Sequence, residues 1–407
     1  MLRTKCFAPT KRGIFCYPYP LLDAGDLKYL RYAVDLAWEG LGRNSPNPLV
    51  GCVIVKDGKV IGRGAHVYEK LAHAEAIALA EAGESARGAT LYVNLEPCCH
   101  YGRTPPCTDS IIAAGVARVV YGLDDPFEKV NGVGVSTLAD AGVRVEKCDD
   151  AVLISAMEDQ NRFYLHHKRH GMPYVTHKAA ASLDGRIATH TGESKWIAHT
   201  DALALAHLLR GVYDAVLIGA NTARIDDPQL TYRPDEVGQA QLPEIIFPHT
   251  PTGLKSPLRV VIDADLNLSR TLRVFDTTLA PTVVVCSDDA YPEAADLLTA
   301  QGVEVIRVPK SQAGLDLTAA LKGLAAKGIQ SLLIEGGGDT AGRFYDAGLV
   351  DEVNLIYAPI IIGGRDAFPL VAGIGAGQLV NAKHIIDMRK QWVGQDLLVV
   401  GKVANRE

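Results

Sequence analysis

Short apolar runs alternate with apolar residues at helical spacing along the first 125 residues of the chain. Residues 26–38 place apolar side chains every three or four positions, which predicts a helix with Asp26 at its N-cap. Residues 50–55 form an apolar run, and Asp57-Gly58 then predicts a hairpin turn into a second strand. Further helices are predicted at 74–82 and 108–114, and further strands at 90–94 and 118–121. Strands that alternate with helices predict an α/β sandwich.

The pattern changes at residues 158–170, which predict a polar helix rich in histidine and arginine. We place the domain boundary at its end, so that residues 26–171 and 172–407 form two domains after an N-terminal extension at 1–25. A second α/β series predicts strands at 215–218, 259–262, 282–285, 331–334 and 352–357. Residues 232–257 contain five prolines and little periodicity, which predicts a long surface loop.

Length, charge and cysteine usage exclude several classes of protein. A chain of 407 residues is too long for one ordinary core. The net charge of −6 argues against a nucleic-acid partner, although a few arginines could still hold a small phosphorylated substrate. There is neither an apolar run of about 18 residues nor a secretory signal, so we expect a cytoplasmic protein without a membrane partner. The eight cysteines are scattered over a long chain, which is typical of reduced thiols.

The first candidate site combines a histidine, a glutamate and a cysteine-rich loop. Cys98, Cys99 and Cys107 lie within ten positions, and His73 and Glu75 stand upstream at the start of a predicted helix. Imidazole and thiolate are the preferred ligands of Zn²⁺, so His73, Cys98 and Cys107 predict a zinc site with one position left for water. Zinc lowers the pKa of that water to about 7, and Glu75 would take its proton. The alternative is a helix-capping histidine with buried thiols, but the combination is the signature of zinc-dependent base deaminases.

The second candidate site lies in the C-terminal half. The glycine-rich run IEGGGDTAG at 334–342 leads from a predicted strand into a helix, where backbone N–H groups can approach a phosphate. It formally satisfies G-x-G-x-x-A, but it lies too near the end of the chain for a Rossmann domain, and a tight turn without a ligand is the alternative. Arg210 and Arg233 suit a phosphate because guanidinium groups bind it in a bidentate manner, whereas a surface ion pair is the alternative for each.

Several motifs resemble those of the bifunctional riboflavin-biosynthesis protein family, and the resemblance covers roughly residues 27–400. The sequence HYGRTPPC at 100–107 matches the family's expanded deaminase loop, and NPLVG at 47–51 is similar to its substrate-side turn. SLDGRIA at 182–188, GESKWI at 192–197 and the glycine-rich run are similar to its reductase domain. The resemblance implies an N-terminal cytidine-deaminase-like three-layer α/β/α domain and a C-terminal dihydrofolate-reductase-like α/β domain.

The resemblance also implies two successive reactions. The first is zinc-dependent hydrolytic deamination of 2,5-diamino-6-(5-phosphoribosylamino)pyrimidin-4(3H)-one, and the second is NADPH-dependent reduction of the ribosyl side chain to ribityl. One Zn²⁺ per chain and NADPH are the implied cofactors, and we expect a homo-oligomer, either a dimer or a tetramer. Two alternative functions are less consistent with the sequence. A nucleic-acid-editing deaminase would need a basic, aromatic channel, against which the net charge of −6 argues. The other alternative is a reductase whose first domain is merely structural. Such a protein would not need the zinc-site residues His73, Glu75, Cys98 and Cys107, yet all four are present.

The site residues implied by the resemblance follow position by position. In the first domain they are the metal ligands His73, Cys98 and Cys107, the catalytic Glu75, and the substrate-binding Asn47, His100 and Arg103. The cofactor-binding residues of the second domain are Ala180, Trp196, Thr222, Asp226, Ala264, Gly337, Gly338, Asp339, Thr340, Ala341, Gly342 and Arg343. Its substrate-binding residues are Ser194, Arg210, Leu230, Arg233 and Glu335, and its candidates for proton transfer are Asp226 and Lys178. Ala264 replaces the hydroxyl residue expected there, and Cys99 is expected to point away from the metal.

Overall fold

The computed structural model describes residues 22–195, 197–238, 240–312 and 314–404. These residues divide into two compact units, between Leu165 and His166. Of the predicted N-terminal extension, residues 1–21 lie outside the described part, and Ala24 already begins a helix. None of the helices in the described part has the length and apolar character needed to cross a membrane.

A five-stranded sheet covered by helices on both faces forms the first unit. Its strands are β1 Gly51–Lys56, β2 Lys59–Ala65, β3 Thr90–Leu95, β4 Arg118–Leu123 and β5 Arg144–Lys147, in the order β2-β1-β3-β4-β5. Its helices are α1 Ala24–Ala37, α2 Ala74–Ala82, α3 Cys107–Ala113, α4 Val133–Asp140, α5 Ala151–Gln160 and the start of α6 Arg162–His170. β3, β4 and β5 are parallel, whereas β1 runs antiparallel to β2 and β3.

Each face of this sheet has its own apolar core. Helices α2, α3 and α4 pack on the face that carries Ile54 and Val93, and α1 and α5 pack on the face that carries Val53 and Tyr92. Successive side chains of a strand point to opposite faces, so strands that are apolar throughout need cover on both sides. The structure therefore confirms the three-layer α/β/α arrangement.

Two local features of the first unit differ from the sequence-based prediction. Asp23, not Asp26, is the N-cap of α1, because its carboxylate accepts from the N–H of Asp26 at 2.8 Å while Asp26 completes the capping box. The helix predicted at 158–170 is interrupted at Asn161. The side chain of Asn161 accepts from the N–H of Leu49 at 2.8 Å and donates to its carbonyl oxygen at 3.0 Å. This long-range contact fixes the break between α5 and α6.

A nine-stranded sheet organises the second unit. Its strands are β6 Tyr174–Ser182, β8 Ala215–Gly219, β9 Leu258–Ile262, β10 Thr282–Ser287, β11 Glu304–Val308, β14 Ser331–Ile334, β15 Glu352–Ala358, β17 His384–Val393 and β18 Asp396–Ala404. The order is β11-β10-β9-β8-β14-β6-β15-β18-β17, parallel from β11 to β15 and antiparallel beyond it. Two small two-stranded antiparallel sheets pair β7 Arg186–Ala188 with β16 Phe368–Pro369 and β12 Lys310–Ser311 with β13 Gly314–Leu315.

Six helices accompany this second sheet in the described residues. They are α7 Thr200–Val212, α8 Ala220–Asp226, α9 Pro234–Val237, α10 Pro292–Ala300, α11 Leu317–Ala326 and α12 Gly338–Asp346. The described residues of 232–257 are largely irregular, as predicted, but they include the short helix α9 and bury apolar side chains, so the segment is not simply a surface loop. Ile246 and Phe247 are only 3% and 1% exposed. Prolines removed the periodicity that would have indicated their burial.

Candidate active sites

Two loops and two helix starts bring His73, Cys98 and Cys107 together in the first unit. His73 is the N-cap of α2, Cys98 follows β3, and Cys107 begins α3. Nδ1 of His73 lies 3.4 Å from Sγ of Cys98 and 3.3 Å from Sγ of Cys107, and the three ligand atoms lie within 4.8 Å of one another. Within the part of the chain that the structure describes, this is the only group of three such ligands.

This donor set fits a zinc ion. Tetrahedral bonds of the usual Zn–S and Zn–N lengths separate nitrogen from sulfur by about 3.6 Å, close to the distances found here. Hydrogen bonds from Cys107 and from His73 lower the pKa of the Cys98 thiol, which favours the thiolate that binds metal. Nε2 of His73 lies 3.3 Å from Oγ1 of Thr104. Such an outer hydrogen bond orients a metal-binding imidazole.

Glu75 and Cys99 adjoin this group in different ways. Glu75 lies in the first turn of α2, is 4% exposed, and has its carboxyl group beside the thiol of Cys107. Burial, followed by the charge of Cys98, raises the pKa of Glu75, so its carboxyl group can carry a proton closer to neutral pH. Sγ of Cys99 donates instead to the carbonyl oxygen of Lys129 at 3.3 Å, outside the three-ligand group.

Asn47 has a partner that the sequence analysis missed. Nδ2 of Asn47 lies 2.9 Å from Nε2 of His66, whose Nδ1 lies 3.0 Å from the carbonyl oxygen of Ala72. Because that carbonyl accepts, Nδ1 carries the hydrogen and Nε2 accepts from the Asn47 amide. The His66 ring also packs edge-on against His73, with centroids 5.1 Å apart. The sequence feature that could have identified His66 is its position directly after β2 and seven residues before His73.

The remaining predicted residues of this site lie in the expanded loop. The ring of His100 packs edge-on against Phe127, with centroids 5.4 Å apart. The guanidinium group of Arg103 lies 4.5 Å from the ring centroid of Tyr68. A cation held over an aromatic face keeps its charge and becomes better oriented. Tyr68 was also missed by the sequence analysis, since nothing in its local pattern distinguishes it from other surface aromatic residues.

In the second unit, a cleft of about 720 Å³ opens at the carboxyl ends of β6, β8, β9 and β14. Open α/β sheets bind their ligands at this edge. The predicted site residues that line it are Lys178, Ala180, Ser194, Thr222, Asp226, Ala264, Glu335, Gly337, Gly338, Asp339, Thr340 and Arg343. The structure therefore collects most of the second predicted site around one opening.

Other predicted residues of this site, among them Arg210 and Arg233, are not in the lining of the cleft. Ala341 is fully buried, and a Cβ on Gly342 would lie 2.1 Å from the carbonyl oxygen of Ala372, so both serve the packing of α12. The side chain of Leu230 is 2% exposed and belongs to an apolar core. The prediction for Trp196 falls outside the described residues.

The start of α12 fits the phosphates of a dinucleotide. Gly337 is its N-cap, and no described side chain caps the helix, so N–H groups of the first turn remain available to an anion. The N–H of Gly337 donates to Oγ1 of Thr222 at 3.1 Å, which holds the loop against the start of α8. A Cβ on Gly338 would lie 2.3 Å from the carbonyl oxygen of Pro369. Only glycine permits this close packing beside the cleft.

Three buried charges meet beside this cleft. The carboxylate of Glu335 accepts from Nε and Nη2 of Arg210 at 2.7 and 2.8 Å and from Nζ of Lys178 at 3.2 Å. Burial alone would raise the pKa of Glu335, but the charges of Arg210 and Lys178 lower it below its usual range. Burial lowers the pKa of Lys178. Arg210 is therefore already paired in a bidentate manner, whereas Arg233 contacts the imidazole of His207, with Nη2 3.1 Å from Nε2.

Comparison with known proteins accounts for both sites. The family described as RibD C-terminal domain matches residues 173–399, and the cytidine and deoxycytidylate deaminase zinc-binding region matches residues 24–123. Riboflavin biosynthesis protein RibD of Bacillus amyloliquefaciens is 38% identical, over 91% of this chain and 94% of the relative. RibD of Escherichia coli strain K12 is also 38% identical, over 91% of this chain and 98% of the relative.

Solved structures agree with this assignment along nearly the whole chain. Acinetobacter baumannii RibD, form 1, is 33% identical with a TM-score of 0.80, covering 94% of this chain and 99% of that one. The Thermotoga maritima diaminohydroxyphosphoribosylaminopyrimidine deaminase/5-amino-6-(5-phosphoribosylamino)uracil reductase is 32% identical with a TM-score of 0.75, covering 93% and 99%. This chain therefore belongs to the RibD family of riboflavin biosynthesis proteins.

Proposed function

We propose that this chain catalyses two successive steps of riboflavin biosynthesis, one in each unit. As a RibD-family member it is a bifunctional deaminase and reductase that uses zinc and NADPH. The observation that carries the proposal is the His73, Cys98 and Cys107 group, together with the cleft at the carboxyl ends of the second sheet. The substrate is the phosphoribosylamino-diaminopyrimidine, and its deaminated product enters the second reaction.

The predicted boundaries remain our proposal for how the chain divides. Residues 26–171 form the deaminase domain and residues 172–407 the reductase domain, after an extension at residues 1–25. The two family matches, at 24–123 and 173–399, support this division. We place the protein in the cytoplasm, which the absence of disulfides among the six cysteines of the described residues favours.

The deaminase site handles protons with Glu75. His73, Cys98 and Cys107 would hold Zn²⁺, which when bound acts as a Lewis acid that brings the pKa of water to about 7. Glu75 takes the proton of the attacking water and passes it to the amino group, which leaves as ammonia. The burial that raises the pKa of Glu75 suits both transfers, because the acid must give up the proton it has taken. Asn47, His100 and Arg103 bind the pyrimidine.

The reductase site opens and reduces the sugar. NADPH supplies the hydride when bound, and the glycine-rich loop with Ala180, Thr222 and Ala264 would hold it. The hydride goes to the sugar carbon and a proton goes to the ring oxygen. Lys178 lines the cleft, and burial lowers the pKa of its ammonium group, so that it gives up a proton more readily. Asp226 is the second candidate, because it lines the same cleft and burial raises its pKa.

Arg233 is the stronger candidate for the substrate phosphate. The guanidinium group of Arg210 is already bound by Glu335, whereas the closest carboxylate to Arg233 is that of Glu236 at 3.5 Å, which is 58% exposed. Solvent-exposed ion pairs of this kind contribute little, so Arg233 keeps its charge for a ligand. Glu335 and Ser194 then line the substrate side of the cleft, and Arg210 holds the Glu335 carboxylate in place. Replacing Arg233 by Ala should raise the reductase KM, and an unchanged KM would remove the phosphate role.

An exposed apolar surface supports the predicted homo-oligomer. Ile374 and Leu379 are 90% and 91% exposed, and Met388 and Trp392 of the outermost strand β17 are 66% and 64% exposed. These four side chains fall within residues 374–392, and monomers rarely leave large apolar patches exposed. A second copy fits, because Asp387 and Arg389 flank Met388. A two-fold axis at Met388 would place Asp387 of one copy opposite Arg389 of the other, so that opposite charges meet.

Removal of the metal tests the division of labour. Protein stripped of zinc by a chelator should stop releasing ammonia from the diaminopyrimidine substrate. It should still oxidise NADPH when given the deaminated substrate, because the reductase site contains none of the zinc ligands. Restored zinc should restore ammonia release. Ammonia release by zinc-free protein would contradict the proposed deaminase site.

A further inference from the structure

We propose that His207 is a positioning residue of the reductase, a neutral hydrogen-bond acceptor that orients Arg233 without cancelling its charge. The inference rests on the proposed phosphate-binding role of Arg233. It assigns to His207 the task of keeping a guanidinium group both fixed and electrically available to the substrate phosphate.

The hydrogen-bond geometry determines the protonation state of His207. Nε2 of His207 lies 3.1 Å from Nη2 of Arg233, and an arginine can only donate. Nε2 must therefore carry a lone pair, which leaves the hydrogen on Nδ1 and the ring neutral. Nδ1 is buried and has no hydrogen-bond partner among the described residues. The side chain is 7% exposed, so water competes little for the contact with Arg233.

The charges around the imidazole keep it neutral at physiological pH. Arg210 and Arg233 face it as cations, and Glu335 and Glu236 face it as anions. Burial, followed by the charges of the two arginines, lowers the pKa of His207 to about 4. The acceptor at Nε2 is therefore present at any pH at which the enzyme would work.

The neighbouring arginine shows what a carboxylate would do in the same place. Arg210 stands three residues after His207 on α7, and Glu335 binds its guanidinium group through two hydrogen bonds. A charge paired in this way has little attraction left for a phosphate. Arg233 contacts neutral acceptors instead, since its Nη1 lies 3.4 Å from both Oε1 of Gln229 and Oγ1 of Thr231. The two arginines are thus held by different chemistry: a buried carboxylate pairs with Arg210, whereas, among the described residues, the only carboxylate recorded beside Arg233 is the exposed one of Glu236, at 3.5 Å.

Three substitutions at one position separate orientation from charge. In His207→Gln the amide oxygen can replace Nε2 as acceptor, so the reductase KM should stay within about twofold of the wild-type value. His207→Glu has the same shape as His207→Gln but adds a carboxylate beside Arg233. His207→Leu keeps the bulk and removes the acceptor. Both of these should raise KM by about tenfold or more, the usual worth of a hydrogen bond to a charged group, with little change in kcat.

Inhibition by inorganic phosphate provides a second readout that a merely structural role would not change. Phosphate should compete with substrate in the wild-type enzyme and in His207→Gln. It should inhibit His207→Glu and His207→Leu at least about tenfold more weakly. Leu208→Val serves as a matched control, because Leu208 is a buried neighbour on the same helix and does not contact Arg233 in the described contacts. Thermal unfolding of each variant separates loss of fold from loss of affinity.

Equal KM values for the Gln and Glu variants would overturn the charge argument, and a wild-type KM in the Leu variant would overturn the positioning role. Arg233→Ala, measured in parallel, distinguishes failure of the phosphate-binding role of Arg233 from failure of the positioning role of His207. If it leaves KM unchanged, the phosphate role of Arg233 fails and the inference fails with it. If it raises KM while the Glu and Leu variants behave like wild type, only the inference about His207 fails. Should His207→Glu not fold, the Gln and Leu variants still decide the positioning role.

Discussion

Glu75 and His73 stand two positions apart at the start of α2, yet their surroundings give them different tasks. His73 turns Nδ1 toward two sulfur atoms and Nε2 toward Thr104, which suits a metal ligand. Glu75 is buried with its carboxyl group beside Cys107, and burial raises its pKa. A residue in that position can carry protons without being a ligand. The same short motif would therefore supply both a metal ligand and the proposed base.

We predict that Glu75→Gln abolishes ammonia release while leaving zinc content unchanged. The amide has nearly the shape of the carboxyl group but cannot take a proton from water, and general acid–base catalysis is worth about 10²- to 10⁴-fold. NADPH oxidation with the deaminated substrate should proceed at the wild-type rate. The measurement is ammonia release and metal content on one preparation. Deamination at more than a tenth of the wild-type rate would rule out the role of Glu75.

The adjacent cysteines Cys98 and Cys99 allow a matched test of the metal ligands. We predict that Cys98→Ser loses its zinc and its ammonia release, because a thiolate ligand is replaced by a hydroxyl group. Cys99→Ser should keep both, since Sγ of Cys99 only donates to the carbonyl oxygen of Lys129. Metal analysis of the two purified variants gives the answer. Zinc retained in Cys98→Ser, or lost in Cys99→Ser, would contradict the ligand assignment.

The sequence predicts single residues well where their chemistry is local. His73, Glu75, Cys98 and Cys107 lie in two short motifs whose residue types already suggest zinc. Contacts between distant positions could not be predicted in this way. His207 meets Arg233 across 26 positions, and Arg210 meets Glu335 across 125. Their pairing depends on how α7 lies on the sheet, which no local pattern encodes.

At the scale of elements, the glycine-rich loop and α12 act together as one structure. Gly338 packs against the backbone at Pro369 and Gly342 packs against Ala372, and in both cases a Cβ would come within about 2.3 Å of a carbonyl oxygen. The start of the helix is thereby fixed against this neighbouring segment while its first N–H groups line the cleft. The close packing of α12 at these two glycines therefore positions the start of the helix so that its N–H groups can bind a phosphate.

We predict that Gly338→Ala weakens NADPH binding by about tenfold or more, because the added methyl group pushes the helix start away from its seat. Gly377→Ala is the control, since a Cβ there meets nothing within 4 Å. Titration of each variant with NADPH, followed by nucleotide fluorescence, measures the dissociation constant. Wild-type affinity in Gly338→Ala would show that close packing at this position does not support the cofactor site. Ammonia release should be unchanged in both variants.

Elements were predictable where apolar runs were long and covered on both faces. The predicted strands at 90–94, 215–218 and 331–334 match β3, β8 and β14, because buried parallel strands are apolar throughout. The failures occurred where tertiary contacts decide the structure. Asn161 breaks a helix through its contact with Leu49, and residues 232–257 bury Phe247 without regular periodicity. These outcomes depend on the completed fold rather than on neighbours in sequence.

The whole molecule carries two cofactor sites built by different physical means. The first unit gathers three ligand atoms from two loop–helix junctions, and the second unit uses the edge of a sheet with an uncapped helix. The three ligands named for the first site lie in the first unit, and the cleft-lining residues named for the second lie in the second unit. The two reactions should therefore be lost independently. Substitution of Glu75 should affect only deamination, and substitution of Gly338 should affect only the NADPH-dependent reduction.

The exposed surface around β17 leads to a prediction about assembly. We predict that Met388→Glu combined with Trp392→Glu lowers the oligomeric state, because two added charges would have to be buried between copies. Tyr291→Glu is the control, since Tyr291 is 74% exposed but lies far from β17 in the sequence, at the start of α10. Light scattering during size-exclusion chromatography measures the mass. A monomeric wild-type protein, or an unchanged mass in the double variant, would contradict the proposed interface.

One measurement tests the central claim most directly. Purified, zinc-loaded protein is incubated with the phosphoribosylamino-diaminopyrimidine, first without and then with NADPH, while ammonia and NADPH are followed together. Our account predicts that ammonia appears without NADPH, and that NADPH added afterwards is oxidised in an amount equal to the ammonia released. Oxidation of NADPH without any ammonia release would contradict the order of the two steps. The absence of both reactions would contradict the assignment of this substrate to the chain.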